Sequence, residues 1–158
     1  MQIAMQQNLS AKNELKMTFN IRQIQVLGFT INNSPQHQSL KPDHNYTFEI
    51  NVGTLIDPEN KFIGINFKTN VFTSQTKDDS VCELSILVSY HIINFDEVVR
   101  KDEKEFSIPD RAMQHLIAVT LSTARGILFE KVQGTFLSKL ILPIIDVTKL
   151  NKKETSGS

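Results

Sequence analysis

Between Ser107 and Gly134 the chain carries one long amphipathic stripe, and any fold it adopts has to lay a surface beneath it. Ala112, Met113, Leu116, Ile117, Thr120, Leu121, Ala124, Ile127 and Leu128 recur at three- and four-residue spacing. Arg111, Gln114, His115, Ser122, Arg125 and Lys131 fall mostly on the other side. The pattern predicts a long helix with one covered face. Ser107 is placed to cap it, with Pro109 in the first turn and Asp110 three residues on to reach back. Beyond Gly134 comes Leu140-Ile141-Leu142-Pro143-Ile144-Ile145, a run with almost no polar relief. Pro143 lacks an amide hydrogen and disfavours helix at Leu142, which predicts an extended segment or a short broken helix. Such a run needs cover from the sheet, from another subunit, or from something bound.

Four strands are expected ahead of the helix. In the first, Met17, Phe19 and Ile21 share a phase, Ile24 and Val26 take the other, and Leu27, Phe29 and Ile31 return to the first. Phase flips within one strand mark bulges. A loop of turn chemistry follows from Asn32 to Asp43, then a strand through Tyr46, Phe48, Ile50 and Val52 ending near Gly53, a tight turn at Asp57 to Asn60, and a third strand. That strand sets Ile63, Ile65, Phe67, Thr69 and Val71 against Phe62, Gly64, Asn66, Lys68, Asn70 and Phe72 on the opposite face. Cys82, Leu84, Ile86, Val88, Tyr90 and Ile92 alternate with polar residues in the fourth, a half-buried antiparallel strand. Asp96 to Glu105 reads as a solvated connector. The fold class is therefore α+β, a four-stranded antiparallel meander covered on one face by a long helix and a short hydrophobic C-terminal segment. Residues 17–150 are expected to form one domain, with a flexible arm at 1–16 and a disordered tail at 151–158.

Seventeen basic and seventeen acidic residues cancel, which argues against nucleic acid or an anionic membrane as partner. A lone cysteine, Cys82, excludes an internal disulfide and fits a reducing compartment. Met1 to Leu9 carries no leader pattern and no run is long enough to span a bilayer, so a cytoplasmic protein without membrane insertion is expected. His37, His44, His91 and His115 match no metal-ligand spacing, and Cys82 and His91 fall on opposite faces of one strand. A nucleophile elbow, a phosphate loop and a dinucleotide fingerprint are absent from the sequence. No catalytic residue, metal or cofactor is expected, and the chain is not expected to be an enzyme. What remains is apolar surplus: Phe62 and Phe72 on a polar strand face, and Phe136, Leu137 and the 140–145 run beyond the helix.

Several of these stretches resemble the SecB family of bacterial export chaperones. Phe19-Asn20-Ile21-Arg22-Gln23-Ile24 and Gly28-Phe29-Thr30-Ile31 are similar to its first strand, Ala124-Arg125 to its helix, and Gly134-Thr135-Phe136 with Leu140-Ile141-Leu142-Pro143-Ile144 to its closing turn and tail. The resemblance runs from about Met17 to Leu150. It implies a long helix packed between subunits in a dimer of dimers, with Met113, Leu116, Ile117 and Leu121 at the oligomer interface. It also implies nonpolar grooves that hold unfolded polypeptides without ATP, lined here by Phe62, Phe72, Phe136, Leu137, Leu142 and Ile144. Unfolded clients expose apolar side chains and unpaired backbone, so a holdase needs apolar pockets and strand edges rather than reactive groups.

The family's acidic docking face for the SecA motor is not matched. The corresponding positions here are Asn66, Lys68, Asn70 and Ser85, with Glu49 and Glu83 as the carboxylates, so docking to SecA is not expected. A dedicated chaperone for a particular client, such as an antitoxin, fits better than the general export factor. The alternative is a small-molecule or lipid binder with an internal apolar cavity. A hot-dog-type thioester enzyme is disfavoured because its helix precedes most of its sheet.

Overall fold

The alternating stretches become a four-stranded antiparallel sheet in the computed structural model, which describes residues 16–41, 43–73 and 77–152. The expected arm, except Lys16, and positions 153–158 of the expected tail lie outside the described residues. In chain order the elements are β1 (Phe19–Ile31), α1 (Pro35–Gln38), β2 (Thr47–Asp57), β3 (Phe62–Phe72), β4 (Ser80–Ile92), α2 (Phe95–Val98), β5 (Arg100–Lys101), β6 (Phe106–Ser107), α3 (Asp110–Val132) and a closing 3-10 helix, Val147–Lys152.

The strand order is β1-β4-β3-β2, which corrects the simple meander expected from the sequence. β2, β3 and β4 follow one another, but β1 lies against β4, a Greek-key arrangement in which the connection from β1 to β2 is a crossover. Alternation alone carries no information on which strands are neighbours. β1 and β2 are consequently the two edges.

The phase flips in β1 have the expected cause. Its pairing with β4 shifts register between Ile21 and Gln23 and again between Val26 and Gly28. With these two breaks, Phe19, Ile21, Ile24, Val26, Phe29 and Ile31 stand opposite Ile92, Tyr90, Val88, Ile86, Leu84 and Cys82, the inward-facing residues of β4. Two bulges thus keep one apolar face on a strand whose sequence changes phase twice.

α3 lies over β3 and β4, burying Leu116, Ile117, Leu121, Ala124 and Leu128 against them. Tyr90 ties the two layers together: its hydroxyl donates to the Leu116 carbonyl at 3.1 Å and shares a 2.7 Å hydrogen bond with Thr120. The expected helix cap is corrected. Ser107 belongs to β6, paired with Arg100, and Pro109 precedes the helix instead. The connector is also more ordered than expected, because Phe95, Val98 and Val99 bury an apolar edge of it in the core. At the other end Gly134, with φ at +76°, sits in the left-handed region just past the cap residue Gln133 and stops the helix where the sequence said it would.

Candidate functional site

From Gly134 onward the chain folds back along its own helix. Thr135 organises the reversal: its hydroxyl donates to the Val132 carbonyl at 2.7 Å and accepts from the Leu137 amide at 3.1 Å. Leu137, Leu140 and Leu142 then drop into the core while Ile141 and Ile144 turn outward. Arg125, one turn before the end of the buried stripe, clamps this extended stretch, donating from Nε to the Leu142 carbonyl (2.9 Å) and from Nη2 to the Pro143 carbonyl (3.1 Å). Asp146 restarts helical geometry by accepting from the amide of Thr148 at 3.0 Å and from its hydroxyl at 2.6 Å.

The stretch so held stands beside edge strand β2, and a cleft of about 550 Å³ opens between them. Ile50 and Val52 line it from the strand, Ile144, Ile145 and Leu150 from the segment, with Asn51, Asp146 and Lys149 as its polar members. Ile144 is 93% exposed, which for an isoleucine held on a clamped backbone is a large apolar surface left in water. A strand edge offers backbone donors and acceptors, and apolar pockets beside it offer places for alternate side chains of an extended chain.

Two other open surfaces flank the helix layer. On β1, Ile21, Ile24 and Val26 face the helix side of the sheet yet remain 45%, 47% and 42% exposed, because α3 covers β3 and β4. α3 itself borders a shallow, open depression of about 700 Å³ through Gln114, Ala118, Val119 and Ser122, with Val147 also lining it. At the far end of α3, Phe136 and Thr135 face Asn33 and Gln38 of the crossover across a third cleft of about 520 Å³.

The six residues expected to line one groove are therefore dispersed. Ile144 lines the β2 cleft and Phe136 the crossover cleft. Leu137 and Leu142 are interior, packed within the core cluster. Phe62 stacks edge-on against His91, ring centroids 5.5 Å apart, on the outer face of the sheet, and Phe72 is buried apart from the core cluster. Among the residues expected at an oligomer interface, Leu116, Ile117 and Leu121 are buried against their own sheet and Met113 is half-buried, so the outward face of α3 is the one bearing Gln114, Ala118 and Ser122. Ile50, Val52, Ile145 and Leu150 were missed because the role of β2 as an edge depends on strand order.

Cys82 is buried on the inner face of β4, and burial, reinforced by the charge of neighbouring Glu83, pushes its thiol up to about 12. It is no nucleophile at neutral pH. His91 lies on the other face of the same strand, opposite Asn20 and Phe62. Among the described residues no three His, Cys, Asp or Glu side chains stand together as metal ligands, and no helix is long and apolar enough to cross a membrane.

The arrangement of sheet, helix and returning segment has a counterpart among solved structures. The Mycobacterium tuberculosis Rv1957 SecB-like chaperone, in complex with a ChAD peptide from the Rv1956 HigA1 antitoxin, matches with a TM-score of 0.50 at 16% identity, over 81% of this chain and 90% of that one. The fold is SecB-like. A Streptococcus agalactiae protein of unknown function is also similar, with a TM-score of 0.42 at 16% identity over 83% of this chain and 99% of its own. No protein-family model matches the chain, and no curated protein matches it in sequence. Within the SecB-like fold, the β2 cleft sets a strand edge beside the exposed side chain of Ile144.

Proposed function

We propose that this chain is a divergent SecB-like holdase that keeps an unfolded polypeptide extended, without ATP, in the cleft between β2 and residues 140–150. The observation that carries the reading is Ile144, exposed beside a strand edge and a cleft of mixed apolar and polar lining, where an extended peptide can add backbone hydrogen bonds and seat alternate side chains together. The M. tuberculosis chaperone of the same fold was solved with an antitoxin peptide, which supports polypeptide as the ligand class and a dedicated client as the role. Assembly as a dimer of dimers accounts for the uncovered Ile21, Ile24 and Val26 and for the outward face of α3, which then meet sister subunits. The two carboxylates at the positions that correspond to the family's docking face each stand beside a lysine, Glu83 with Lys68 at 3.0 Å and Glu49 with Lys77 at 3.8 Å, which supports a partner other than SecA.

The test is suppression of aggregation of a guanidinium-denatured reporter enzyme on dilution, followed by light scattering, with the size of the chaperone read by multi-angle scattering. A tetramer that suppresses aggregation is expected. Ile144→Asp is expected to bind an unfolded reporter roughly 10- to 100-fold more weakly, the value of one buried isoleucine, while keeping its denaturation midpoint. A wild-type chain that leaves aggregation untouched sinks the reading.

A further inference from the structure

The crossover from β1 to β2 is tied to Thr73 and Asp79, which lie between β3 and β4, by two histidines. His44 Nε2 meets the Thr73 carbonyl at 2.7 Å. His37, on α1, is buried with both ring nitrogens engaged: Nδ1 lies 2.9 Å from the Asn32 carbonyl and Nε2 bonds the Asp79 carboxylate. A carbonyl and a carboxylate both accept, so only the doubly protonated ring supplies a hydrogen to each. With one proton gone, a buried nitrogen lone pair faces an acceptor.

We propose that the His37 imidazolium, bridging the Asn32 carbonyl and the Asp79 carboxylate, is a proton-operated latch that holds α1 against Asp79 and releases it when the ring is neutral. This goes beyond the holdase reading and does not depend on it. The electrostatics agree with the geometry. Burial by itself lowers the ring's pKa, but the Asn32 carbonyl and then Asp79 reverse this and leave it above the ordinary 6.5. A group held above its ordinary value contributes its full stabilisation below that value and loses it as pH rises through the raised pKa. The latch is therefore shut below 6.5 and loosens as pH rises through the raised pKa.

Among the described residues, Asp79 is the charged group acting on the ring. On the same turn Lys77 reaches Glu49, and Asp78 is exposed; on the crossover, Lys41 and Asp43 are exposed. The end of α3 opposite the crossover presents Gly134, Thr135 and Phe136, none of which titrates. Because Asn33 and Gln38 form the other wall of that cleft, opening the latch widens the approach to Phe136.

Hydrogen exchange on the full-length protein reads the latch directly. The amides of His37 and Gln38 bond the Ser34 carbonyl, and that of Leu40 bonds the His37 carbonyl. After correction for intrinsic rates, their exchange is expected to accelerate roughly tenfold or more between pH 6 and pH 8.5, the loss of one hydrogen bond to a charged group. The midpoint should coincide with the His37 ring titration followed by nitrogen-15 NMR, above 6.5. His37→Gln and Asp79→Asn are expected to abolish the dependence; His44→Gln is expected to keep it. Protection in the wild type that stays flat across the range overturns the proposal, as does a dependence that survives His37→Gln or vanishes in His44→Gln.

Discussion

Replacing Arg125 with Gln removes the clamp on the returning segment while leaving the buried stripe of α3 intact. Two hydrogen bonds are lost, at 2.9 Å to Leu142 and 3.1 Å to Pro143. Bonds to charged groups contribute about 1.5–3 kcal/mol each, but this guanidinium is partly solvated and water can reach the Pro143 carbonyl, so about 1–3 kcal/mol in total is the reasonable figure. Burial of Leu140 and Leu142, each worth about 1.5–3 kcal/mol, still favours docking. The segment should therefore remain docked but detach roughly 5- to 150-fold more often. Hydrogen exchange checks this at the amides of Leu140, Thr148 and Lys149, which are bonded to Leu137, Asp146 and Asp146 in turn. Their exchange should rise while that of β3 and β4 stays constant, and Arg125→Lys, a point charge without the planar fork, should fall between. Unchanged exchange at those amides, or equal acceleration throughout the sheet, refutes the clamp.

Thr69 is buried on the inner face of β3 with a hydroxyl that has no partner among the described residues, so Thr69→Val should stabilise the fold by about 1–2 kcal/mol, seen as a higher denaturant midpoint at constant slope. A lower midpoint would mean that the hydroxyl is bonded after all. Cys82, its thiol pushed up to about 12 mainly by burial, stays protonated in the folded state between its ordinary 9.0 and that value, so its effect is to reduce stability as pH climbs above 9. At pH 8 an aromatic disulfide reagent should label it only on unfolding, and immediate labelling of native protein would contradict its place in the core.

Local periodicity carried the elements, and the packing between them is where it ran out. The alternation of β3 and β4 and the double phase flip of β1 translated directly into faces and bulges, because side-chain direction in a strand depends on neighbours one and two residues away. The stripe through Leu116, Ile117 and Leu121 predicted a covered helix face correctly, but the same stripe fits a sheet or a sister subunit, and the sheet took it. The 140–145 run has almost no polar relief in sequence, yet it is two-sided in space: Leu140 and Leu142 are interior, while Ile141 and Ile144 face water. The clamp from Arg125, seventeen residues before Leu142, is a long-range contact that local pattern does not reveal.

The two sheet edges differ in a way that assigns them different work under the holdase reading. β1 breaks register twice against β4, and bulges of this kind twist an edge away from regular pairing. Its apolar side chains are nonetheless partly open, which suits packing against a rigid, like surface such as a second copy of the chain. β2 pairs with β3 without a break from Thr47 to Asp57, so its outer edge presents a regular, alternating row of backbone donors and acceptors. Beside that row the clamped segment supplies Ile144, Ile145 and Leu150. A regular edge with apolar pockets accepts many sequences provided they are extended, because the backbone pattern is common to all of them and only the side-chain spacing selects. The strand interrupted by bulges is thus the one suited to assembly, and the uninterrupted strand is the one suited to a non-native client.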